Sequence, residues 1–503
     1  MKQATLALTA LASLLGCTVG PKYQRPDAPI AAQYRGAPAA GSAASDATGG
    51  LPPTPTTPSP ASGDSAWQVA QPADTVPRGA WWTLFQDTSL NALEQQVAAQ
   101  NRDVRAAEAR FRQASALVSQ VRSQAFPTLG LQAQNSRART SANVQHRATA
   151  GITLPDYQIA LQASWEPDLW GRVASSTEAA RAGAQASAAD AQGALLSMQA
   201  ALAIDYFQLR ATDQQIKLFA ATVDTYQRAL TLTRNRLAGG IATYADVARA
   251  DTQLQTAQAQ AIDLTVQRAQ LEHAIAVLIG ASPSTFTLPA ADVPLQARAV
   301  PPGVPSTLLE RRPDIGAAER RVAQANAQIG VATAAFFPTL TLGVTGGLES
   351  TLLSQLLTAP SRFWSLGPSL AASLIDFGQR RAVKEGAIAQ YDETVAEYQQ
   401  TVLTAFQQVE DQLSALQQLQ QEAVVEQGAL QAAQRALAAV NDRYRNGALT
   451  YLDVVVAQTT ALDTQRTAIE LSGRQMAASV GLIKALGGGW NTAALDSKAL
   501  ALP

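Results

Sequence analysis

Only one cysteine and two histidines occur in the 503 residues, which leaves little material for a metal site or a Cys/His nucleophile. Charge of one sign is missing too: the net charge is −1, with acidic and basic residues interspersed. Nothing in that pattern suggests a nucleic acid or other polyanion as partner. No nucleotide-binding loop is apparent, and no catalytic triad or cofactor loop stands out. Aromatic residues make up 6% although 47% of the chain is hydrophobic. Ala, Leu and Gln dominate instead, a mix that favours long helices packed closely together.

Proline is absent from two long stretches, 168–282 and 369–502. Because proline breaks helix interiors, these gaps mark where helices can run. Within the second gap Tyr391, Val395, Tyr398, Val402, Phe406, Val409, Leu413 and Leu416 recur at steps of three and four, one face of a helix. A single helix from Gln379 to Arg445 would be about 100 Å long. The alternative is a helical bundle with short turns hidden in the pattern.

The N-terminal end has its own grammar. "MKQATLALTALASLLGC" places Lys2 before an apolar stretch and Cys17 directly after Leu14-Leu15-Gly16. Residues 1–16 read as an export signal, too short and wrongly flanked for a spanning helix. A cysteine after "LLG" resembles a bacterial lipobox, in which the signal is cut before Cys17 and the new terminus is acylated; an ordinary signal with an incidental cysteine is the alternative. Thr18 follows, not the Asp that retains such lipoproteins at the inner membrane. Residues 17–79 are then an anchored segment with a low-complexity Pro/Gly/Ser/Thr/Ala linker that cannot pack a core.

Between the helical stretches the period changes. Leu129, Leu131 and Ala133 alternate with Gly130, Gln132 and Gln134; Tyr157 to Trp165, Leu340 to Thr345, and Ser365 to Leu374 alternate likewise. Period two means strand, with one face apolar and the other small and polar. That is the mark of a transmembrane barrel or, less demandingly, of an amphipathic hairpin on a soluble core. "WEPDLWGR" brings Glu166 and Asp168 to a strand end, the one carboxylate pair that an enzyme reading could use.

The two halves of the chain align. Asp103, Glu108 and Pro127 correspond to Asp314, Glu319 and Pro338 (338 − 127 = 211), whereas Gly171 and Gly240 correspond to Gly378 and Gly447 (447 − 240 = 207). The offset changes inside the hairpin, where loop length is free. Residues 80–312 and 313–490 thus form two repeats of helix, two strands, long helix, turn, helix, followed by a tail, 491–503. Four strands cannot close a membrane barrel; two, three or four copies would supply eight, twelve or sixteen.

"CTVGPKYQRP", "WWTLFQDTSLNALEQQVAAQN" from Trp81, "LLERRPDIGAAERRVAQANAQIGVATAAFFPTLTL" from Leu308 and the paired "GxxTYxDV" turns resemble the TolC-like outer-membrane efflux proteins, in their lipoprotein (NodT-type) branch. The resemblance implies an α+β homotrimer in the outer membrane. Twelve strands form the barrel and twelve helices continue it as a periplasmic tunnel. It also implies a periplasmic adaptor, an inner-membrane pump of the RND type, contact with outer-membrane lipid, no cofactor beyond a covalent lipid on Cys17, and passive export without catalysis. A lipid-anchored, non-conducting coiled-coil tether is the competing reading.

The repeated turns, "AGGIATYADV" and "RNGALTYLDV", have a local explanation: Gly240 and Gly447 suit the left-handed residue that ends a helix, and Thr243/Asp246 and Thr450/Asp453 suit capping boxes. "RRPDI" likewise suits helix initiation at Pro313. By resemblance the turns are the periplasmic aperture, with Asp246 and Tyr444 latching adjacent helix pairs and Leu452 and Asp453 narrowing the lumen. Val456 and Leu449 depart from residues common in the family at these places. Gly240, Ile241, Gly447 and Leu449 are expected to receive the adaptor, Ile241 and Leu449 as exposed apolar contacts.

Overall fold

The structure is a computed structural model and describes residues 19–28, 34, 80–143, 151–296 and 311–488. The signal 1–16, Cys17, the low-complexity linker and the tail 491–503 lie outside the described residues. After a 3-10 turn at Trp81–Phe85 come α1 (Thr88–Gln100), α2 (Arg102–Ser123), β1 (Thr128–Arg139), β2 (Thr153–Trp165), α3 (Arg172–Ala238) and α4 (Tyr244–Leu278). The second half contributes α5 (Pro313–Ala334), β3 (Thr339–Ser350), β4 (Arg362–Ala371), α6 (Gln379–Arg445) and α7 (Tyr451–Ala485). Helices α3 and α6 are each one continuous helix of 67 residues, so the bundle with hidden turns does not form. Offsets of 211 and 207 carry α2 onto α5, β1 onto β3, α3 onto α6 and α4 onto α7 end to end. No described helix is long and apolar enough to cross a membrane.

Small residues let the long helices approach. Ala189 of α3 meets Ala317 of α5, and a Cβ on Gly330 would lie 2.7 Å from Ser175 Oγ. Where α5 begins, Pro313 occupies the first turn and Arg312 pairs with Asp314 at 2.6 Å.

The four strands form one antiparallel sheet in the order β1-β2-β3-β4. Its register sorts the faces: Leu131 lies opposite Leu161, Ala163 opposite Val344, and Val344 opposite Leu366, so these side chains share one surface. On the other face Gln162 donates to Gln132 at 2.9 Å. The alternation expected as far as Leu374 stops early, because β4 ends at Ala371 and the chain turns into the αL residues Phe377 and Gly378 that start α6. A tether needs no such sheet.

Below it the helices pack into several cores, two of which hold the N-terminal elements. Trp81, Trp82, Leu90 and Val97 pack on Leu202, Tyr206 and Phe207 of α3, on Ile275 of α4, and on Val480 of α7. Asp87 caps α1 through the amides of Ser89 and Leu90 and accepts 2.6 Å from the Tyr206 hydroxyl. A charged clamp fixes the connection that follows α4. Arg210 donates to Asp213 (3.0 Å) and to the Pro289 carbonyl (2.8 Å), while Arg268 reaches Asp213 (2.8 Å) and Glu272 (3.1 Å).

The second core joins α5 and α6 through Ile315, Val322, Tyr398 and Val402, with Tyr34 buried among them. The N-terminal segment follows this seam. Asn326 Nδ2 donates to the Pro21 carbonyl at 3.1 Å, Gln399 Nε2 to that of Asp27 at 3.1 Å, and the Tyr23 hydroxyl to Glu319.

Candidate functional site

The two repeated turns sit at the end of the helices farthest from the sheet, and their sequences account for their shape. At the end of α3 the Gly240 amide donates to the Leu237 carbonyl (2.9 Å) and the Ile241 amide to that of Arg236 (2.8 Å). At the end of α6, Gly447 and Ala448 make the same pair of bonds to Tyr444 and Arg443 (3.0 and 2.9 Å). Both are Schellman closures, which need a residue at positive φ. Gly240 and Gly447 provide it, at φ 73° and 77°.

The next helices open with reciprocal caps. Asp246 Oδ2 accepts from the Thr243 amide (3.0 Å) and hydroxyl (2.7 Å); Asp453 Oδ2 accepts from those of Thr450 (2.9 and 2.7 Å). These bonds hold the Asp246 carboxyl below the usual carboxylate range, the Thr243 amide first among the causes. For Asp453 the Thr450 hydroxyl is the first cause of the same lowering. Both carboxylates are therefore ionised throughout the neutral range. Replacing Thr450 by Ala should cost about 1 kcal/mol of local helix stability, read as faster amide exchange in the first turn of α7.

Behind the turns Phe219, Tyr226, Leu230, Leu254, Tyr451 and Val454 close a core to which all four long helices contribute. Tyr444 is half-buried at its edge: the Arg236 guanidinium lies 4.4 Å from its ring centroid, and the Tyr451 ring 5.8 Å away at a tilt. Burial pushes the Tyr451 phenol up to about 12, with Tyr444, Tyr226 and the negative Asp246 adding to it. Asp246 also faces Arg249, 3.7 Å from its second oxygen.

The expected site residues thus fall together at one tip, but not all as expected. Within one chain, among the described residues, no hydrogen bond joins Asp246 to Tyr444; the acid serves its own cap and the ring serves Arg236. Leu449 is half-buried and not exposed as expected, whereas Ile241 stands free at 78% exposure. Leu452 and Val456 are exposed. Arg236 went unread in the sequence, although its counterpart at the 207 offset is also an arginine, Arg443. The carboxylates of "WEPDLWGR" have structural partners: Glu166 takes both Nε and Nη2 of Arg172 (3.1 and 3.0 Å), and Asp168 accepts from the Ala174 amide at 2.7 Å. Among the described residues no cluster of His, Cys, Asp or Glu could hold a metal ion.

Comparison with known proteins places this architecture. The model of the family described as "Outer membrane efflux protein" matches residues 93–281 and 304–488. The probable efflux pump outer membrane protein TtgC of Pseudomonas putida is 31% identical over 494 residues, covering 97% of this chain and 96% of its own. The solved outer-membrane channel OprN has 30% identity and a TM-score of 0.82, over 94% of this chain and 100% of that one. The open state of the Neisseria gonorrhoeae channel MtrE gives 28% and 0.79, over 95% and 99%.

Proposed function

The chain belongs to the outer membrane efflux proteins and serves as the outer-membrane exit channel of an efflux system; from this we propose that its working form is a homotrimer gated at the repeated turns. Three sheets of four strands close into a twelve-stranded barrel, and the long helices continue it into the periplasm as a tunnel built from two repeats per chain. Energy comes from an inner-membrane pump of the RND type, to which a periplasmic adaptor connects the tip around Gly240, Ile241 and Gly447. Cys17 carries the lipid that anchors each chain.

One observation supports the assembly above the rest: the sheet is apolar on one face and lined with Gln, Thr and Ser on the other, yet among the described residues the outer edges of β1 and β4 have no strand partner. A membrane strand cannot leave its backbone unpaired in lipid. The same polar face suits a water-filled lumen.

Six ionised carboxylates, Asp246 and Asp453 from three copies, then ring the aperture beside Leu452, and Asp246 of one helix pair engages Tyr444 of its neighbour. Single-channel recording in a planar bilayer tests this. Discrete steps are expected from the mature protein, and larger ones from Asp246→Ala with Asp453→Ala. Thr243→Ala disturbs the cap but keeps the charge, so it separates the two effects. Unchanged conductance in Asp246→Ala and Tyr444→Phe, singly and together, would sink the latch.

A further inference from the structure

Five charged residues stand in the four strands, and the register sorts them by sign. Arg137 lies opposite Pro155 and Arg139 opposite Thr153, on the surface that holds Leu131 and Leu161, because residues two apart in a strand share a face. Arg362, opposite Leu348, belongs to that surface too. Asp156 lies opposite Ser136 and Glu349 opposite Gln158, on the face of Gln132 and Gln162. The cations thus stand with the apolar side chains and the acids with the polar ones. Arg137, Arg139 and Arg362 are exposed and, among the described residues, no carboxylate pairs with them.

The apolar surface has a limit at the hairpin end. Along β1 it runs through Leu129, Leu131 and Ala133 and turns polar at Asn135. Asn135 lies opposite Tyr157, and Trp165 ends the same row of β2, with Ile159, Leu161 and Ala163 between the two rings. Aromatic residues bracketing an apolar stretch mark the two interfaces of a barrel's lipid band. Arg137 and Arg139 lie beyond the Tyr157 rung, at the end of the sheet away from the helices. Within the band a guanidinium would be costly; at the level of the lipid head groups it meets phosphate, which takes two parallel N–H donors from one arginine. The sequence contains no Asp or Glu between Glu108 and Asp156, so the turn joining β1 to β2 brings no counter-charge of its own.

Resting on the barrel reading above, we infer that Arg137, Arg139 and Arg362 form a docking surface for the phosphate groups of the glycolipid in the outer leaflet. Arg137 and Arg139 are about 7 Å apart along the strand, close enough for both side chains to reach one phosphate. Arg362 adds a third cation on the same outward face. The surface is committed to a lipid, and not to a soluble anion, because it continues the face that lipid chains cover. A bound glycolipid lays its chains on Leu129, Leu131 and Leu161 and presents its phosphate to the arginines. With Asp156 and Glu349 turned inward, the outward rim keeps one sign.

Native mass spectrometry of the full-length protein in detergent, titrated with diphosphorylated lipid A, tests this. The unsubstituted trimer should take up lipid A, and combining Arg137→Gln, Arg139→Gln and Arg362→Gln should weaken that uptake about tenfold or more. Combining Arg102→Gln, Arg112→Gln and Arg122→Gln removes the same charge from exposed positions of α2 and should change it little. Lipid A stripped of its phosphates should bind the unsubstituted protein as weakly as the strand variant binds the intact lipid. Phosphatidylglycerol should be taken up less than lipid A, and inorganic phosphate should not compete. Equal uptake by the unsubstituted protein and the strand variant, or uptake indifferent to the phosphates, overturns the docking surface and leaves the barrel standing. Phosphatidylglycerol or inorganic phosphate matching lipid A overturns the assignment to outer-leaflet glycolipid. A monomeric mass for the unsubstituted protein, with no conductance steps, overturns the barrel reading and this inference with it.

Discussion

Replacing Glu94 by Gln should stabilise the protein by about 3 kcal/mol at pH 7, and should erase most of its loss of stability between pH 5 and pH 9. Glu94 lies on the apolar stripe of α1 beside Leu90, Leu93 and Val97, with no exposed surface and, among the described residues, no hydrogen-bond partner for either oxygen. Burial alone pushes its carboxyl from 4.5 to about 9. The folded state therefore holds a proton that the unfolded chain releases near its ordinary pKa. The resulting stability is complete below the unfolded value and drains away as pH rises, levelling once the folded pKa is passed. At pH 7 the gap is worth roughly 1.4 kcal/mol for each unit above 4.5, which is the source of the figure. Gln has nearly the same shape and no proton to lose, so the two proteins should melt alike at acid pH and diverge as pH rises. Thermal unfolding in detergent across that range is the measurement; parallel curves for both proteins would show that Glu94 is not held neutral.

Removing the Asp213 carboxylate should cost more, about 3–5 kcal/mol, because it leaves a buried guanidinium without its counter-charge. Arg210 and Asp213 have side chains only 2% and 4% exposed, and Arg268 depends on the same carboxylate. The Arg210 contact with the Pro289 carbonyl remains after Asp213→Ala, but a carbonyl dipole does not replace an ionic partner. The connection after α4 should then be cut readily by protease. Lys217 and Asp292 provide the comparison: they bridge the same elements at 2.5 Å but are 72% and 62% exposed. Lys217→Ala should therefore change stability by less than about 1 kcal/mol. Equal losses from the two substitutions would contradict the role given to burial.

The clamp and Glu94 mark where reading the sequence stopped short. Glu94 follows Leu90 and Leu93 and precedes Val97 at helical spacing in the sequence itself, a signal that went unused. The clamp was not visible, because Arg210, Arg268 and the Pro289 carbonyl come together only through long-range folding. What was legible was local or periodic. The caps at Thr243 and Thr450, the Pro313 start and the helix from Gln379 to Arg445 depend on residues near in sequence, and the strands on alternation. The exposure of Leu449 was overestimated because the sequence of a turn does not say what packs beside its apolar residue. Tyr244 and Tyr451 show the general difficulty: in the shared Thr-Tyr-x-Asp-Val pattern one is 78% exposed and the other 5%, set by which helix lies alongside.

The clamp also has a mechanical meaning. It grips α3 at Arg210 and Asp213, and α3 continues unbroken to Ala238, so the stretch beyond the grip is a rigid arm about 37 Å long at the helical rise. Held there, the helix behaves as a lever with a fulcrum. A swing of roughly 10° about that point would carry the turn at Gly240 about 6 Å sideways with no helix bending and no backbone hydrogen bond broken. The turn can thus be displaced by side-chain dimensions in a motion that leaves the geometry of the sheet untouched.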